Sequence, residues 1–193
     1  LVKNLGQEVL WRRHADIAPD EYLALVVDGI WANYRGAGKA VLLTAIGVRG
    51  DGSFAPLDWE AGTGESLELA TRLCDRLWHR GLRQPGLIVS DGAEAMHQAR
   101  QMIYPQAQGQ LCLWHWERTL LGQVAFADKE RFNRDYWEVY GGLNLEEVRA
   151  RAAAFKRHWR KIAPAAVKEF TARFRQTVAF VRYPWPLRPR LRT

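Results

Sequence analysis

Two aspartates stand directly after short, almost unbroken apolar runs. Leu23-Ala24-Leu25-Val26-Val27 leads into Asp28-Gly29, and Leu87-Ile88-Val89-Ser90 leads into Asp91-Gly92 about sixty residues further on. A buried strand that ends in a carboxylate holds an acid rigidly at the rim of a sheet. Two such acids can converge on divalent cations, and cations that stabilise both the attacking and the leaving oxygen serve phosphoryl transfer. Each acid also has a plainer reading. Asp-Gly is a common turn dipeptide, although the apolar run before Asp28 and Ile30-Trp31 after it argue against a turn there. Asp91 stands where a helix begins, and aspartate is a favoured N-cap.

Other residues could support such a site or contact a polyanion. Cys112 and His115 have the spacing that can begin a zinc site. Cys74 stands alone, and His14, His79, His97 and His158 are scattered, so a structural zinc is not expected. A buried cysteine beside a hydrogen-bonding histidine near the acids is the better reading. Arg118 could meet a phosphate or a base, while its neighbours Trp114 and Trp116 read as ordinary helix packing. Arg188, Arg190 and Arg192 form a strip that could track a phosphate backbone or belong to a disordered end. Glu117, Glu138, Glu146, Glu147 and Glu169 read mostly as solvated helix faces.

The elements that must position these residues follow from periodicity. Strands are expected at 23–28, 40–48 and 53–59, separated by Gly36-Ala37-Gly38 and Gly50-Asp51-Gly52, as an antiparallel meander. Leu69, Leu73 and Leu77 then recur at helical spacing, with Thr63 as N-cap, Glu65 in the first turn and Gly81 as the stop. A fourth strand at 87–90 precedes a helix burying Ala95, Met96, Ala99, Met102 and Ile103, which ends at Tyr104-Pro105. A fifth strand near 108–112 leads into a helix bearing Leu113, Trp116, Leu120 and Val124.

Beyond residue 127 only helices are expected. One carries Phe132, Tyr136 and Tyr140. A second starts at an Asn144/Glu147 capping box and buries Val148, Ala152, Phe155, Trp159 and Ile162. A third, with Pro164 in its first turn, carries Val167, Phe170, Phe174, Val178 and Val181. The fold class is therefore α/β: a ribonuclease-H-like mixed sheet, β-β-β-α-β-α-β, with a C-terminal all-helical insertion segment. The expected organisation is an irregular segment at 1–22 with Pro19 breaking any helix, a core at 23–127, a helical insertion at 128–182 and a basic tail at 183–193. That tail is too rich in proline for a helix and too basic for core.

The chain has 193 residues, 48% of them hydrophobic and nine of them tryptophan, enough for a substantial core. A formal charge of +7 favours a polyanionic partner, of which nucleic acid is the commonest. No apolar stretch approaches the roughly 18 residues that span a bilayer, and no secretory signal is visible. Two cysteines make no disulfide framework and fit a reducing cytoplasm.

Val27-Asp28-Gly29-Ile30-Trp31, Val89-Ser90-Asp91-Gly92-Ala93, Tyr104-Pro105 and Cys112-Leu113-Trp114-His115, taken in order, resemble the catalytic core of Mutator-like transposases of bacterial insertion sequences. The resemblance is close over about residues 23–125 and looser beyond. It implies a ribonuclease-H-like fold with an Asp-Asp-Glu triad and two Mg2+ (or Mn2+) ions, to which Asp28 and Asp91 contribute the first two acids. The ions would activate water and then a DNA 3′-hydroxyl for attack on phosphodiesters. Cys112 and His115 would support the site. The implied partner is double-stranded DNA, as transposon ends and target, bound by a homo-oligomer in a bacterial or archaeal cytoplasm.

In that family the glutamate follows a basic run leading into a Thr-Asn motif, whereas this sequence ends at Leu187-Arg188-Pro189-Arg190-Leu191-Arg192-Thr193. Glu169 is the nearest internal acid. The expectation is a fragment, truncated at both ends and inactive for want of its third acid. Two alternatives stay open: a metal-dependent nuclease of similar fold with an internal glutamate, and a non-catalytic basic DNA-binding module.

Overall fold

The computed structural model describes residues 13–18, 20–34 and 38–192. The helix break expected at Pro19 and the turn residues Gly36 and Ala37 lie outside them. Two compact units divide the chain, Leu1–Gly109 and Gln110–Thr193.

The first unit is built on β1 (Ala24–Tyr34), β2 (Gly38–Val48) and β3 (Phe54–Gly62), followed by α1 (Leu67–His79), β4 (Leu87–Ser90) and α2 (Glu94–Ile103). With β5 (Gln108–Leu111) the strands form one mixed sheet in the order β3-β2-β1-β4-β5. Strand β1 is where direction changes. It is antiparallel to β2 from Ala24↔Val48 to Tyr34↔Gly38 and parallel to β4 from Ala24↔Leu87 to Val26↔Val89. It also runs six residues past Asp28, where a strand end was expected. Polar Asp28 does not stop it because β2 supplies backbone partners along its whole length.

Alternation along the strands turns Leu25, Val27, Val41, Leu43, Leu57 and Ile88 into one core with Leu69, Leu73 and Leu77 of α1 and Met96 and Ala99 of α2. The buried stripe of α2 is narrower than its spacing suggested, and Met102 is 62% exposed. Helix α1 starts one turn later than expected: Ser66, not Thr63, is the N-cap, its side chain accepting from the Leu69 N–H at 3.1 Å. Gly81 ends that turn with φ +115°. Asp58 of β3, its side chain fully buried, takes Arg76 Nε at 2.7 Å and Arg13 Nε at 3.0 Å, with Arg80 Nη1 at 3.4 Å, which ties α1 to the sheet.

The second unit holds α3 (Leu113–Leu121), α4 (Lys129–Val139), α5 (Leu145–Trp159), α6 (Pro164–Arg173) and a short α7 (Arg188–Leu191). Its core is aromatic. Phe132, Tyr136, Tyr140, Trp159 and Phe170 are fully buried, with edge-to-face pairs such as Phe132–Trp159 at 4.9 Å. Asn144 caps α5, its Oδ1 accepting from the Glu147 N–H at 2.9 Å. Ile162 lies past the end of α5, off its helical period, and is 42% exposed.

Two expectations fail here. Helix α6 stops at Arg173 and continues only as 3-10 turns, because the Thr177 hydroxyl donates to the Phe174 carbonyl at 2.7 Å and competes with the helical ladder. The tail is folded: Leu187 and Leu191 are buried, and Pro189 sits in the first turn of α7, where a missing N–H costs nothing. Among the described residues no helix is long and apolar enough to cross a membrane.

Candidate functional site

The β1–β4 register brings the two aspartates together. Two residues beyond the last parallel pair, Val26↔Val89, stand Asp28 on one strand and Asp91 just past the other. Both line a crevice of about 10 Å³, room for a single water-sized body, together with Gly29, Glu65, Ser66 and Ser90.

The two acids are held differently. Asp28 is half-buried in mid-strand opposite Thr44, whose hydroxyl donates to the Asp28 carbonyl at 3.0 Å, and its own Oδ1 accepts from the Gly29 N–H at 3.0 Å. A turn aspartate is thereby excluded. Asp91 is exposed, and its Oδ1 accepts from the Ala93 N–H at 2.9 Å across Gly92, whose φ of +88° is glycine territory. It closes the turn ahead of α2 but is not the cap residue, a position taken by Ala93.

Glu65 was not foreseen as a site residue. Its Oε1 accepts from the Trp31 indole N–H at 3.1 Å and lies 2.3 Å from the position a Cβ on residue 29 would occupy. The contact joins the segment before α1 to a strand more than thirty residues earlier, so no local pattern announces it. Among the described residues, no three His, Cys, Asp or Glu side chains are grouped so as to hold a metal ion. Asp28, Asp91 and Glu65 all line the one crevice.

The remaining candidates lie in the second unit and are described within it. Cys112 is buried at the start of α3, and His115, half-buried, follows one turn later on the same side of the chain. Trp116 is buried, as expected of packing, whereas Trp114 is 51% exposed with its ring 4.9 Å from that of Trp137. Arg118 is exposed. Glu117 is no solvated face: it is 5% exposed, and burial raises its pKa, while a hydrogen bond with Trp137 and the charge of Arg118 pull it down in part.

The three tail arginines differ from one another. Arg188 donates to the carbonyls of Tyr183 (2.9 Å), Leu143 (2.9 Å) and Gly142 (3.2 Å). Arg190 is exposed. Arg192 is half-buried, its guanidinium 5.8 Å from the Trp137 ring and its pKa lowered by that burial, while its carbonyl accepts from Leu113 N at 2.8 Å.

Comparison with known proteins gives this arrangement a family. Three curated relatives are transposases of insertion sequences. That of IS905 from Lactococcus lactis subsp. lactis (strain IL1403) is 27% identical over 161 residues, covering 82% of this chain and 41% of the relative. That of IS1201 from Lactobacillus helveticus is 25% identical over 192 residues, 97% and 52% of the two chains. That of IS6120 from Mycolicibacterium smegmatis is 27% identical over 170 residues, 88% and 53%. The chain thus spans about half the length of the curated relatives it matches. The family model described as "Transposase, Mutator family" matches residues 8–193, which takes in both aspartates, the Tyr104-Pro105 pair and Cys112/His115. On that match the chain belongs to the Mutator family of transposases.

Proposed function

We propose that this chain carries catalytic carboxylates of an insertion-sequence transposase, an enzyme that acts, with a divalent cation, on DNA phosphodiesters at transposon ends. The observation that carries the reading is the β1–β4 register, which brings Asp28, in the middle of β1, alongside the carboxyl end of β4, where Asp91 follows. Open α/β sheets bind ligands at that end. The order of elements and the mixed sheet support a ribonuclease-H-like frame for the site, and the charge of +7 supports a DNA partner.

The residues present fit a hard cation. Carboxylate oxygens suit Mg2+ or Mn2+, and Mg2+ is commonly held by one or two carboxylates with water and substrate phosphate completing its shell. Asp28 and Asp91 would be those ligands, in a crevice that admits a water-sized body. When bound, the ion supplies polarisation of the phosphodiester and a more acidic attacking water or hydroxyl. The chain itself supplies rigidity. The ladder with β2 fixes the backbone at Asp28, and the Gly92 turn with the Ala93 N–H fixes the Asp91 carboxylate.

The test is calorimetric titration of Mn2+ and Mg2+ into the wild-type chain, Asp28→Asn and Asp91→Asn. Uptake by the wild type that is lost in each variant is the expected result. Uptake that survives both substitutions, or none by the wild type, overturns the reading. Salt-sensitive DNA binding without ion uptake would instead identify a non-catalytic DNA-binding module.

A further inference from the structure

Beyond Asp28, the same strand presents an aromatic side chain to solvent. Ile30 and Trp31 pair with Leu42 and Val41 of β2, yet they are 54% and 48% exposed. The indole is nevertheless oriented. Its N–H donates to Glu65, whose carboxylate lines the aspartate crevice and reaches across Gly29, the residue on β1 that shares a face with Trp31. From β2, the Lys39 ammonium lies over the ring at 5.4 Å from its centroid.

We propose that Trp31 is a stacking platform for an unpaired nucleotide adjoining the phosphodiester held at Asp28 and Asp91. In this arrangement Lys39 meets that nucleotide's phosphate and Glu65 positions the indole. The proposal rests on the transposase reading above. The bond to Glu65 runs from the indole N–H at the ring edge, the Lys39 ammonium lies over the ring, and the side chain is 48% exposed, which leaves solvent-facing ring surface for a base. A cation beside an open aromatic is the pairing that single-stranded nucleic acid engages, base on ring and phosphate on ammonium. A base inside a duplex is already stacked on both sides and offers no such face. The platform therefore distinguishes unpaired from paired DNA next to the acids.

Fluorescence anisotropy on the whole chain at one fixed low salt concentration tests it. The probes are a blunt duplex and the same duplex with a single-stranded 3′ extension. Wild type is compared with Trp31→Ala, Trp31→Phe, Lys39→Gln and Glu65→Gln, each first checked for an unchanged thermal midpoint. Removal of a stacking aromatic weakens binding roughly five- to 150-fold per base. Trp31→Ala is therefore expected to lose roughly tenfold or more on the extended duplex and nothing on the blunt one. Trp31→Phe should retain most of the affinity, and the other two variants should lose a few-fold.

Equal affinity of Trp31→Ala and wild type for both probes overturns the platform and leaves the DNA reading standing. Equal losses on both probes make Trp31 a general duplex contact and overturn it as well. A wild type that binds neither probe overturns both readings. Unchanged DNA affinity with altered self-association in Trp31→Ala assigns the indole to a protein contact, which also overturns the platform.

Discussion

Gly29 and Glu65 compete for one place: a methyl group on residue 29 would lie 2.3 Å from Glu65 Oε1 and 3.3 Å from Val41 Cγ2. The two Asp-Gly pairs therefore hold glycine for different reasons. Gly29 is an ordinary strand residue that leaves room for a carboxylate, whereas Gly92 has the φ of +88° that a side chain resists. Gly29→Ala is expected to push the Glu65 carboxylate aside and break its bond with Trp31. The cost should stay within about 1 kcal/mol, because the displaced atom is the end of a flexible chain. Gly92→Ala strains the backbone by about 1–2 kcal/mol and shifts Asp91. Urea unfolding gives the two costs, and the Trp31 indole N–H resonance in a proton–nitrogen NMR spectrum should move only in Gly29→Ala.

A second prediction concerns Asp58, whose buried carboxylate meets Arg13, Arg76 and Arg80. Asp58→Asn keeps the volume but removes the buried carboxylate from these guanidiniums, leaving Arg13 and Arg76 paired with Glu60. Removal of one partner from a buried pair costs about 3–5 kcal/mol, and the partial exposure of Arg13 and Arg76 reduces this to roughly 3 kcal/mol. The urea midpoint should fall accordingly. A midpoint within error of the wild type would show that Glu60 and water, not Asp58, balance the arginines.

Glu117 yields a pH dependence. Burial holds its carboxyl above the ordinary value of 4.5, with Trp137 and Arg118 opposing in part. Between the unfolded and the raised folded value the native state binds more protons than the unfolded chain. The contribution is therefore most favourable below about pH 4.5 and is lost as pH rises through the folded value. Glu117→Gln removes that loss. Its stability relative to wild type, from urea unfolding across a pH series, should grow from about pH 4.5 upward and then level off. A difference that is flat, or that grows as pH falls, contradicts the assignment.

What could be read from the sequence was whatever a local period or a strand-flanking acid encodes. Ala24–Val27 and Leu87–Ser90 lie in adjacent, largely buried strands as their unbroken apolar character implies, and Asn144 with Glu147 caps α5 as their spacing implies. Glu65 was illegible because its role depends on the β1 extension and on the absence of a side chain at Gly29, a non-local relation. Phe174, Val178 and Val181 keep helical spacing, but the Thr177 hydroxyl bond to Phe174 redirects the chain into 3-10 turns. Glu117 looked solvated only because charge is a prior for exposure, and that prior fails beside Trp137. In the tail the prolines drew the eye, while Leu187 and Leu191, four residues apart and both buried, carried the signal for a turn of helix.

The tail arginines offer the last prediction, because Arg188 and Arg190 are placed so differently. Arg188 donates to three carbonyls and so anchors the tail to Gly142 and Leu143. Hydrogen bonds from a charged donor are worth more than neutral ones, so Arg188→Gln should destabilise the Gln110–Thr193 unit by about 1–3 kcal/mol. Amide exchange should then quicken around Leu191. Arg190 is exposed, where a charged side chain's contacts contribute little, so Arg190→Gln should cost less than Arg188→Gln and under about 1 kcal/mol. If Arg190 meets a DNA phosphate, that substitution lowers the slope of log affinity against log salt by about one, and Arg188→Gln does not. A reduced slope in Arg188→Gln with unaltered stability would restore Arg188 to the phosphate strip and make its carbonyl bonds dispensable.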